Sequence, residues 1–421
     1  MRSFFRNLFK NLGPGIITGA SDDDPSGIAT YSQAGAAFGF GTLWVALLTT
    51  PLMIAVQEMC ARIGIATGRG IIRNMRAQER RGVVLFVVGL VAVASTINIG
   101  ADLGMMAASA QLLIPLPIWF LLVCFTFLTL GLEIFLSYKV YARYLKWLTL
   151  SLLSYVLVAF AVKVDWLGAI RATVLPSFSL TKDYLLIFIA FLGTTISPYL
   201  FFWQANEEVE EELMDGCISE KQCKPRSSDC RSIIGRMRTD VGVGMAYSNI
   251  ISWFIVLTTA TVLFSHGLRD IQTPAEAARV LAPLAGNLAF FLFTIGVVGV
   301  GLLGIPVLSG AVAYAVSEAN HWTEGLSKKW YEAKAFYLVM SAATVIGLMI
   351  NLLGINPIKG LIWSAVLNGV VAAPLIFFII RLANNRKIMG RWANGRVSNI
   401  LCWLAFALMA AASILWLLFS I

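Results

Sequence analysis

Charge is scarce in this chain. Only 13% of its 421 residues are charged, two are histidines, and 58% are hydrophobic. Soluble domains carry about 25% charged residues, so the composition excludes an ordinary water-soluble domain. Apolar runs of about 20 residues, the length that crosses a bilayer as a helix, recur from end to end. The composition therefore predicts a polytopic membrane protein.

The chain also lacks the motifs of common enzyme classes. It has no Gly-rich phosphate loop, no His-Glu-x-x-His motif and no serine–histidine arrangement that a membrane topology allows. The net charge of +9 is spread over many short loops, whereas nucleic-acid binding needs a concentrated basic patch. The missing motifs lead us to expect no enzyme activity and no cofactor. The dispersed charge leads us to expect no nucleic-acid partner.

Apolar windows predict an all-α protein with about eleven membrane helices. Their predicted bounds are 13–38, 42–66, 83–112, 117–136, 144–164, 184–212, 240–265, 286–316, 334–352, 357–381 and 398–420. The short basic segment before the first helix is not followed by a small-residue cleavage site, so we expect no removable signal peptide.

Basic residues predict the orientation of these helices. Most lie in loops on one side, at positions 2–10, 69–81, 139–146, 221–238, 328–334 and 381–396. The opposite side receives only Lys163, Arg171, Lys182, Arg269, Arg279 and Lys359. Because cytoplasmic loops carry the excess of Lys and Arg, we expect a plasma or inner membrane protein with a cytoplasmic N-terminus and an extracytoplasmic C-terminus.

Two predicted helices contain a polar break with a proline. The breaks are Ser21–Gly27, with the sequence SDDDPSG, and Gly193–Tyr199, with the sequence GTTISPY. Lipid cannot satisfy the backbone groups that a break frees, so such breaks line cavities. Carboxylates in the first break and carbonyls and hydroxyls in the second are ligands for a hard cation. Paired broken helices predict a transporter with an ion site at the bilayer midplane.

The two breaks also predict an internal repeat. Each break falls in the first helix of a set of five, and an odd number of helices reverses the orientation of the second set. This arrangement resembles the 5+5 inverted repeat of LeuT-like transporters. We expect a single transmembrane domain over 1–421, with a first repeat at 1–165, a second at 182–382 and an extra C-terminal helix at 397–421.

Several motifs together resemble the Nramp family of divalent-metal transporters over most of the chain. They are Gly13-Pro14-Gly15, Asp24-Pro25-Ser26-Gly27, Ala29-Thr30, Gln33-Ala34-Gly35-Ala36 and Gly64-Ile65-Ala66-Thr67-Gly68-Arg69. Typical members hold a transition metal with an Asp and an Asn of helix 1, a methionine sulfur of helix 6 and a nearby carbonyl.

At the matching positions this chain keeps the Asp as Asp24 but has Gly27 for the Asn and Ser197 for the Met. The resemblance implies a metal site at Asp24, Gly27, Thr194 and Ser197. A thioether favours soft or borderline ions, and that preference is lost with Ser197. Gly27 deletes a ligand and is expected to open space for an ion that keeps its waters, as Mg²⁺ does. The pattern resembles the Nramp-related magnesium transporters, so we expect Mg²⁺, and also Mn²⁺, to be carried.

The residues that couple metal to protons in typical members are also changed. Those members use a His of helix 6, an Asp and a Glu three residues apart in helix 3, and an arginine of helix 9. Here Asp102 remains, Met105 replaces the Glu, Tyr199 replaces the His, and the predicted helix 334–352 has no arginine. We therefore expect import by alternating access, driven by the ion gradient and membrane potential, without proton coupling. The alternative is a proton-coupled Mn²⁺ or Fe²⁺ importer of the typical kind.

Other polar residues are candidates for the ion pathway. Buried carboxylates in membranes are costly and usually functional, which includes Asp22, Asp23 and Asp102. Asp24 can also cap the half-helix that follows it. Asn249 and Asn368 fit interhelical hydrogen bonding better than metal binding.

The run Glu207–Glu212 is compatible with a solvated helix end or with attraction of cations to the inner mouth.

We expect a monomer in the bilayer. A transporter of an organic substrate on the same fold is a weaker alternative, because three consecutive aspartates repel a carboxylate.

Overall fold

The computed structural model describes residues 14–135, 148–214 and 230–420, and these ranges contain helices and no strand. The helices before residue 180 are α1 (Pro14–Asp22), α2 (Pro25–Phe38), α3 (Leu43–Thr67), α4 (Ile71–Met75), α5 (Arg81–Ala110), α6 (Ile118–Phe135), α7 (Leu153–Ala161) and α8 (Trp166–Val174). Those after it are α9 (Lys182–Thr195), α10 (Pro198–Met214), α11 (Cys230–Val262), α12 (Pro274–Ala278), α13 (Ala282–Ala285), α14 (Ala289–Asn320), α15 (Lys334–Ile350), α16 (Pro357–Asn384), α17 (Arg386–Met389) and α18 (Arg396–Ser420). The predicted all-α class is confirmed.

Most predicted helices have observed counterparts with similar bounds, and two differ. The helix predicted at 240–265 begins at Cys230, because its polar first turns were excluded by an apolar window. Of the helix predicted at 144–164, the described part consists of a 3₁₀ turn at Leu148–Leu152 followed by α7, and residues 144–147 lie outside the described ranges. The helix α7 is followed by α8, which was not predicted.

Within the described residues, nine helical segments are long and apolar enough to cross a membrane, or ten if Leu150–Ala161 and Trp166–Val174, bent by 120°, form one broken span. One of the nine is Pro25–Thr67, whose 43 residues would extend about 65 Å as a helix, roughly twice the bilayer core. The chain turns within it at Gly39, which has φ +59°. Dividing this segment there gives ten segments, or eleven with the bent pair, within the described residues, against about eleven predicted.

The helices present apolar side chains outward, and their mostly apolar interior encloses a group of buried carboxylates. Large hydrophobic side chains face outward, including Phe127 (69% exposed), Phe135 (78%) and Leu338 (71%). Asp22, Asp23, Asp24 and Asp102, in contrast, are fully or almost fully buried. Apolar side chains match lipid tails, whereas buried carboxylates need an internal partner. This distribution agrees with a membrane protein that encloses a polar site.

Glycines allow the broken helices to approach their neighbours closely. A Cβ at Gly19 of α1 would lie 2.2 Å from the carbonyl oxygen of Gly244 in α11. A Cβ at Gly193 of α9 would lie 2.0 Å from the carbonyl oxygen of Ala365 in α16. Small residues of this kind permit backbone contact between membrane helices. They bring α11 and α16 against the ends of the half-helices where the polar site lies.

Candidate functional site

Both predicted breaks are present, and each is shorter than predicted. Only Asp23 and Asp24 separate α1 from α2, and only Ile196 and Ser197 separate α9 from α10. The half-helices α2 and α10 each begin at a proline, whose missing N–H is not needed in the first turn. The last carbonyls of α1 and α9 have no partner within their own helices. Side-chain hydroxyls reach some of these carbonyls, namely Tyr199 that of Ser21 and Ser197 those of Gly193 and Thr194.

The carboxylate of Asp24 lies at the start of α2 and caps it. Its Oδ1 accepts hydrogen bonds from the Gly27 backbone N–H at 2.9 Å and from the Ser26 hydroxyl at 2.6 Å. Its Oδ2 lies 3.4 Å from the hydroxyl of Tyr199, across the second break. Capping uses Oδ1, while Oδ2 contacts Asn98 and Tyr199. The break in α1–α2 thus presents one carboxylate oxygen toward α10.

The amide of Asn98 in α5 joins two of the predicted acidic residues. Its Nδ2 lies 2.9 Å from Oδ2 of Asp24 and 3.2 Å from Oδ2 of Asp102, and an amide nitrogen has two hydrogens to donate. Asn368 of α16 lies 3.4 Å from Oδ1 of Asn98. The sequence analysis did not select Asn98, although it lies four residues before Asp102 and therefore on the same helical face. Asp102 and Asn368 are thus part of the Asp24 network.

The second break contributes hydroxyls and carbonyls. The hydroxyl of Ser197 donates to the carbonyl oxygens of Thr194 at 2.9 Å and Gly193 at 3.1 Å, so in this structure it is directed to its own backbone. The Thr194 hydroxyl lies 3.4 Å from that of Ser26. The Tyr199 hydroxyl donates to the Ser21 carbonyl at 3.2 Å. Thr194 and Tyr199 therefore reach the first break, while Ser197 supports the second.

The space beside Gly27 is smaller than the sequence suggested. A Cβ at this position would lie 3.2 Å from the Tyr31 ring and 3.3 Å from both the Asp22 carbonyl oxygen and the Thr194 hydroxyl. In this conformation a Cβ would therefore be in tight contact with α2 and α9 and with the Asp22 carbonyl, which leaves little of the space that we expected beside this glycine.

Asp22 and Asp23 lie beside the Asp24 network and contact α11. The Ser248 hydroxyl is 2.9 Å from Oδ2 of Asp22 and 3.1 Å from Oδ1 of Asp23. Asn249, the next residue, instead contacts the sulfur of Met53 in α3. Asn249 is thus an interhelical packing residue, and Ser248 is the α11 residue that reaches the carboxylates.

The chemistry of the site is dominated by oxygen. Asp22, Asp23, Asp24 and Asp102 are all buried, and within the described ranges none forms an ion pair with Lys, Arg or His. No three His, Cys, Asp or Glu side chains among these residues converge at metal-binding spacing. An ion held here would therefore complete its shell with hydroxyl, amide, carbonyl or water oxygens, which suits a hard cation. The cation would also offset the buried negative charge.

Outside this site, the acidic run at the end of α10 is buried. Glu207, Glu208, Glu210 and Glu212 are all less than 9% exposed. Glu210 accepts from the backbone N–H groups of Leu326 and Ser327, both at 2.8 Å. The reading of this run as a solvated helix end is wrong, because the loop after α14 folds over it.

Sequence reasoning also missed Glu133, near the end of α6. This glutamate is buried and accepts a hydrogen bond from the Ser309 hydroxyl of α14 at 2.9 Å. It was hidden at the edge of an otherwise apolar window, where a single charge does not change the average. Its lone position in the helix was the available signal.

Comparison with known proteins supplies an independent line of information. Residues 15–419 match the family model described as natural resistance-associated macrophage protein-like, Nramp. The chain is 25% identical to the divalent metal cation transporter MntH of Ralstonia nicotianae over 99% of this chain and 92% of that protein. It is 26% identical to the protein of the same name from Verminephrobacter eiseniae, over 92% of this chain and 84% of that protein.

Solved structures share the fold. The manganese transporter of Eremococcus coleocola, crystallised with an aromatic bis-isothiourea compound, has a TM-score of 0.77 at 16% identity, covering 98% of this chain and 87% of that one. The nucleobase-cation-symport-1 family transporter Mhp1, in a closed conformation, has a TM-score of 0.59 at 14% identity, covering 96% and 90%. The likeness to a second transporter family confirms the fold class predicted from the paired breaks.

Proposed function

Because this chain belongs to the Nramp family, we propose that it carries divalent metal cations across a cell membrane. The observation that supports this most directly is the buried Asp24 carboxylate, which lies in the break between two half-helices with no basic partner among the described residues. A carboxylate at this depth is costly unless a cation binds it. The names of the MntH relatives agree with this substrate class.

Alternating access is supported by closures on both sides of the site. On one side, the Gln33 side chain of α2 donates to the Arg269 carbonyl at 3.2 Å and accepts from the Ile271 N–H at 2.8 Å. On the other side, Glu318 at the end of α14 accepts from the N–H of Ile72 at 3.0 Å. Opening one closure while the other holds would expose the site to one side only.

We assign Mg²⁺ as the main substrate and Mn²⁺ as a second one. The groups around Asp24 are the hydroxyls of Ser26, Thr194 and Tyr199 and the amide of Asn98, and none supplies sulfur. Oxygen ligands favour Mg²⁺ and Mn²⁺ over softer ions. With one carboxylate in direct position, the ion would keep several waters, as Mg²⁺ usually does in proteins.

We propose that transport by this protein is not coupled to protons. The residue that faces Asp24 from the second break is Tyr199, and an ordinary phenol does not titrate near neutral pH. The inward gradient and membrane potential would then drive transport, the potential giving about 4.6 kcal/mol per divalent ion at 100 mV.

We also propose a cytoplasmic N-terminus and an extracytoplasmic C-terminus, from the distribution of Lys and Arg.

The second candidate is proton-coupled Mn²⁺ import. It is favoured by the relatives, since the proteins named MntH and the manganese transporter of Eremococcus coleocola share this family and fold. In this case Asp102, which remains linked to Asp24 through Asn98, would be the proton-carrying group.

Uptake into proteoliposomes separates the two candidates. Purified protein is reconstituted with a Mg²⁺ indicator and a pH indicator inside, and Mn²⁺ uptake is measured with and without millimolar Mg²⁺. Our proposal requires Mg²⁺ to enter and to compete with Mn²⁺ while internal pH stays constant. Mn²⁺ entry with acidification and without Mg²⁺ competition would establish the second candidate instead. For variants that remove a buried aspartate, Asp183→Asn is the charge-matched control, because it removes an exposed carboxylate at the start of α9.

A further inference from the structure

A second acidic pair lies beside Asp24 and uses different partners. Asp22 ends α1, and Asp23 is the first residue of the break. Both carboxylates are fully buried, and both contact the same residue of α11, Ser248, which is also buried. Asp24 is directed instead toward Asn98 and Tyr199. The three consecutive aspartates thus divide between two polar environments.

Hydrogen bonding leaves the Asp22–Asp23 pair incomplete. A serine hydroxyl has a single hydrogen, so it donates to one of the two carboxylate oxygens that it contacts. When both carboxylates are ionised, the other contact brings the hydroxyl oxygen of Ser248 close to a carboxylate oxygen with no hydrogen between them. Oδ1 of Asp22 and Oδ2 of Asp23 are buried and have no hydrogen-bond partner among the described residues. Two carboxylate oxygens therefore share one hydroxyl hydrogen, and the other two carboxylate oxygens of the pair have no donor among the described residues.

Electrostatics at this position favour a cation. The C-terminal end of a helix carries a partial negative charge and favours positive groups, and α1 ends at Asp22. Within the described ranges neither Asp22 nor Asp23 pairs with a basic side chain. A single divalent ion at Asp24 would leave the two negative charges of Asp22 and Asp23 uncompensated. Two carboxylates match the charge of one further divalent ion, and their oxygens suit a hard one.

We infer that Asp22, Asp23 and Ser248 form a second divalent-cation subsite, next to the Asp24 site and separate from it. This inference rests on the proposed function, because it adds a second ion of the same class to the same pathway. The two subsites use different side-chain partners, because Ser248 contacts Asp22 and Asp23, whereas Asn98 and Tyr199 contact Asp24.

The test counts bound Mn²⁺ on the purified full-length chain by equilibrium dialysis and by electron paramagnetic resonance, in which bound Mn²⁺ loses the signal of the free ion. We expect two ions per wild-type chain and one in the Asp22→Asn, Asp23→Asn double variant. Asp24→Asn should also bind one ion, and the exposed control Asp183→Asn should bind two. Size-exclusion chromatography checks that each variant is folded.

Ser248→Ala is the smaller change and tests the subsite if the double variant does not fold. Loss of a supporting ligand should weaken the second ion roughly 10–100-fold, with the first unaffected and with the exposed Ser265→Ala as control. One ion in the wild type, or two in the double variant, would overturn the second subsite and leave the proposed function intact. If the wild type binds no Mn²⁺ at all, both fail.

Discussion

The side-chain nitrogen of Asn98 lies 2.9 Å from Oδ2 of Asp24. This contact fixes the carboxylate oxygen that the cap of α2 does not use, and the same nitrogen reaches Asp102 at 3.2 Å. A hydrogen-bonded amide orients a carboxylate that would otherwise rotate, and such outer contacts tune metal affinity. Asn98 therefore links the metal-binding candidate of the first break to the acidic residue of α5.

Asp24→Ala should abolish metal uptake, because it removes the carboxylate in direct ligand position. The cap of α2 is lost as well, which costs about 1 kcal/mol of stability and leaves the protein folded. Uptake is measured in proteoliposomes against the exposed control Asp183→Asn. Wild-type rates in the Asp24 variant would show that another aspartate holds the ion.

Asn98→Ala should lower metal affinity without abolishing transport. The amide positions Asp24 but does not supply the charge, so the expected loss is roughly 10–100-fold. Isothermal calorimetry with Mn²⁺ measures it, and Asn320→Ala, an exposed amide at the end of α14, is the control. An unchanged affinity would mean that Asp24 is oriented by its cap alone.

Ser197→Met should shift binding toward Mn²⁺ and Cd²⁺ relative to Mg²⁺, since a thioether binds soft and borderline ions. The serine hydroxyl now bonds to its own backbone, so little direct contact is lost. Adding Gly27→Asn rebuilds the typical ligand set, but Tyr31 and Thr194 must then move. Calorimetry on both variants measures the ratio of affinities, and a constant ratio would place selectivity outside this position.

Metal influx should leave internal pH unchanged. The reason is that Asp102 lacks both the His and the Glu partner of a proton route. A liposome pH probe measures this, with a proton-coupled relative as positive control. Acidification that disappears in Asp102→Asn would show that a proton route survives.

Glu324, in the loop after α14, predicts a pH-dependent stability. Burial, reinforced by the nearby Glu318 charge, raises the pKa of Glu324 to about 9, although Arg73 opposes the shift. A carboxyl with a raised pKa in the folded state favours folding below its unfolded value and loses that contribution as pH rises toward 9. Glu324→Gln should therefore raise the unfolding temperature at pH 8 to 9 and leave it unchanged near pH 4. If the variant and the wild type have the same unfolding temperature at pH 8 to 9 as well as near pH 4, the raised pKa of Glu324 is contradicted.

Local signals in the sequence were sufficient for most of the helices and for both breaks, but not for the start of α11 or for α8. A proline with polar neighbours inside an apolar run interrupts a membrane helix wherever the chain goes, so the breaks at Asp23–Asp24 and Ile196–Ser197 were predictable. Apolar length likewise identified the membrane helices with similar bounds. The metal assignments at Asp24, Gly27, Thr194 and Ser197 remain predictions.

The sequence by itself determined the membrane class, the paired breaks and the acidic character of the site, because composition, prolines and carboxylates act locally. Only the tertiary structure decided which side chains meet. Asn98 reaches Asp24, Ser248 reaches Asp22 and Asp23, and the end of α10 is covered by a loop far along the chain. These contacts depend on how helices pack at positions such as Gly19 and Gly244. The periodicity of one helix shows which of its own faces is polar, but it does not show which residues of a distant helix lie against that face.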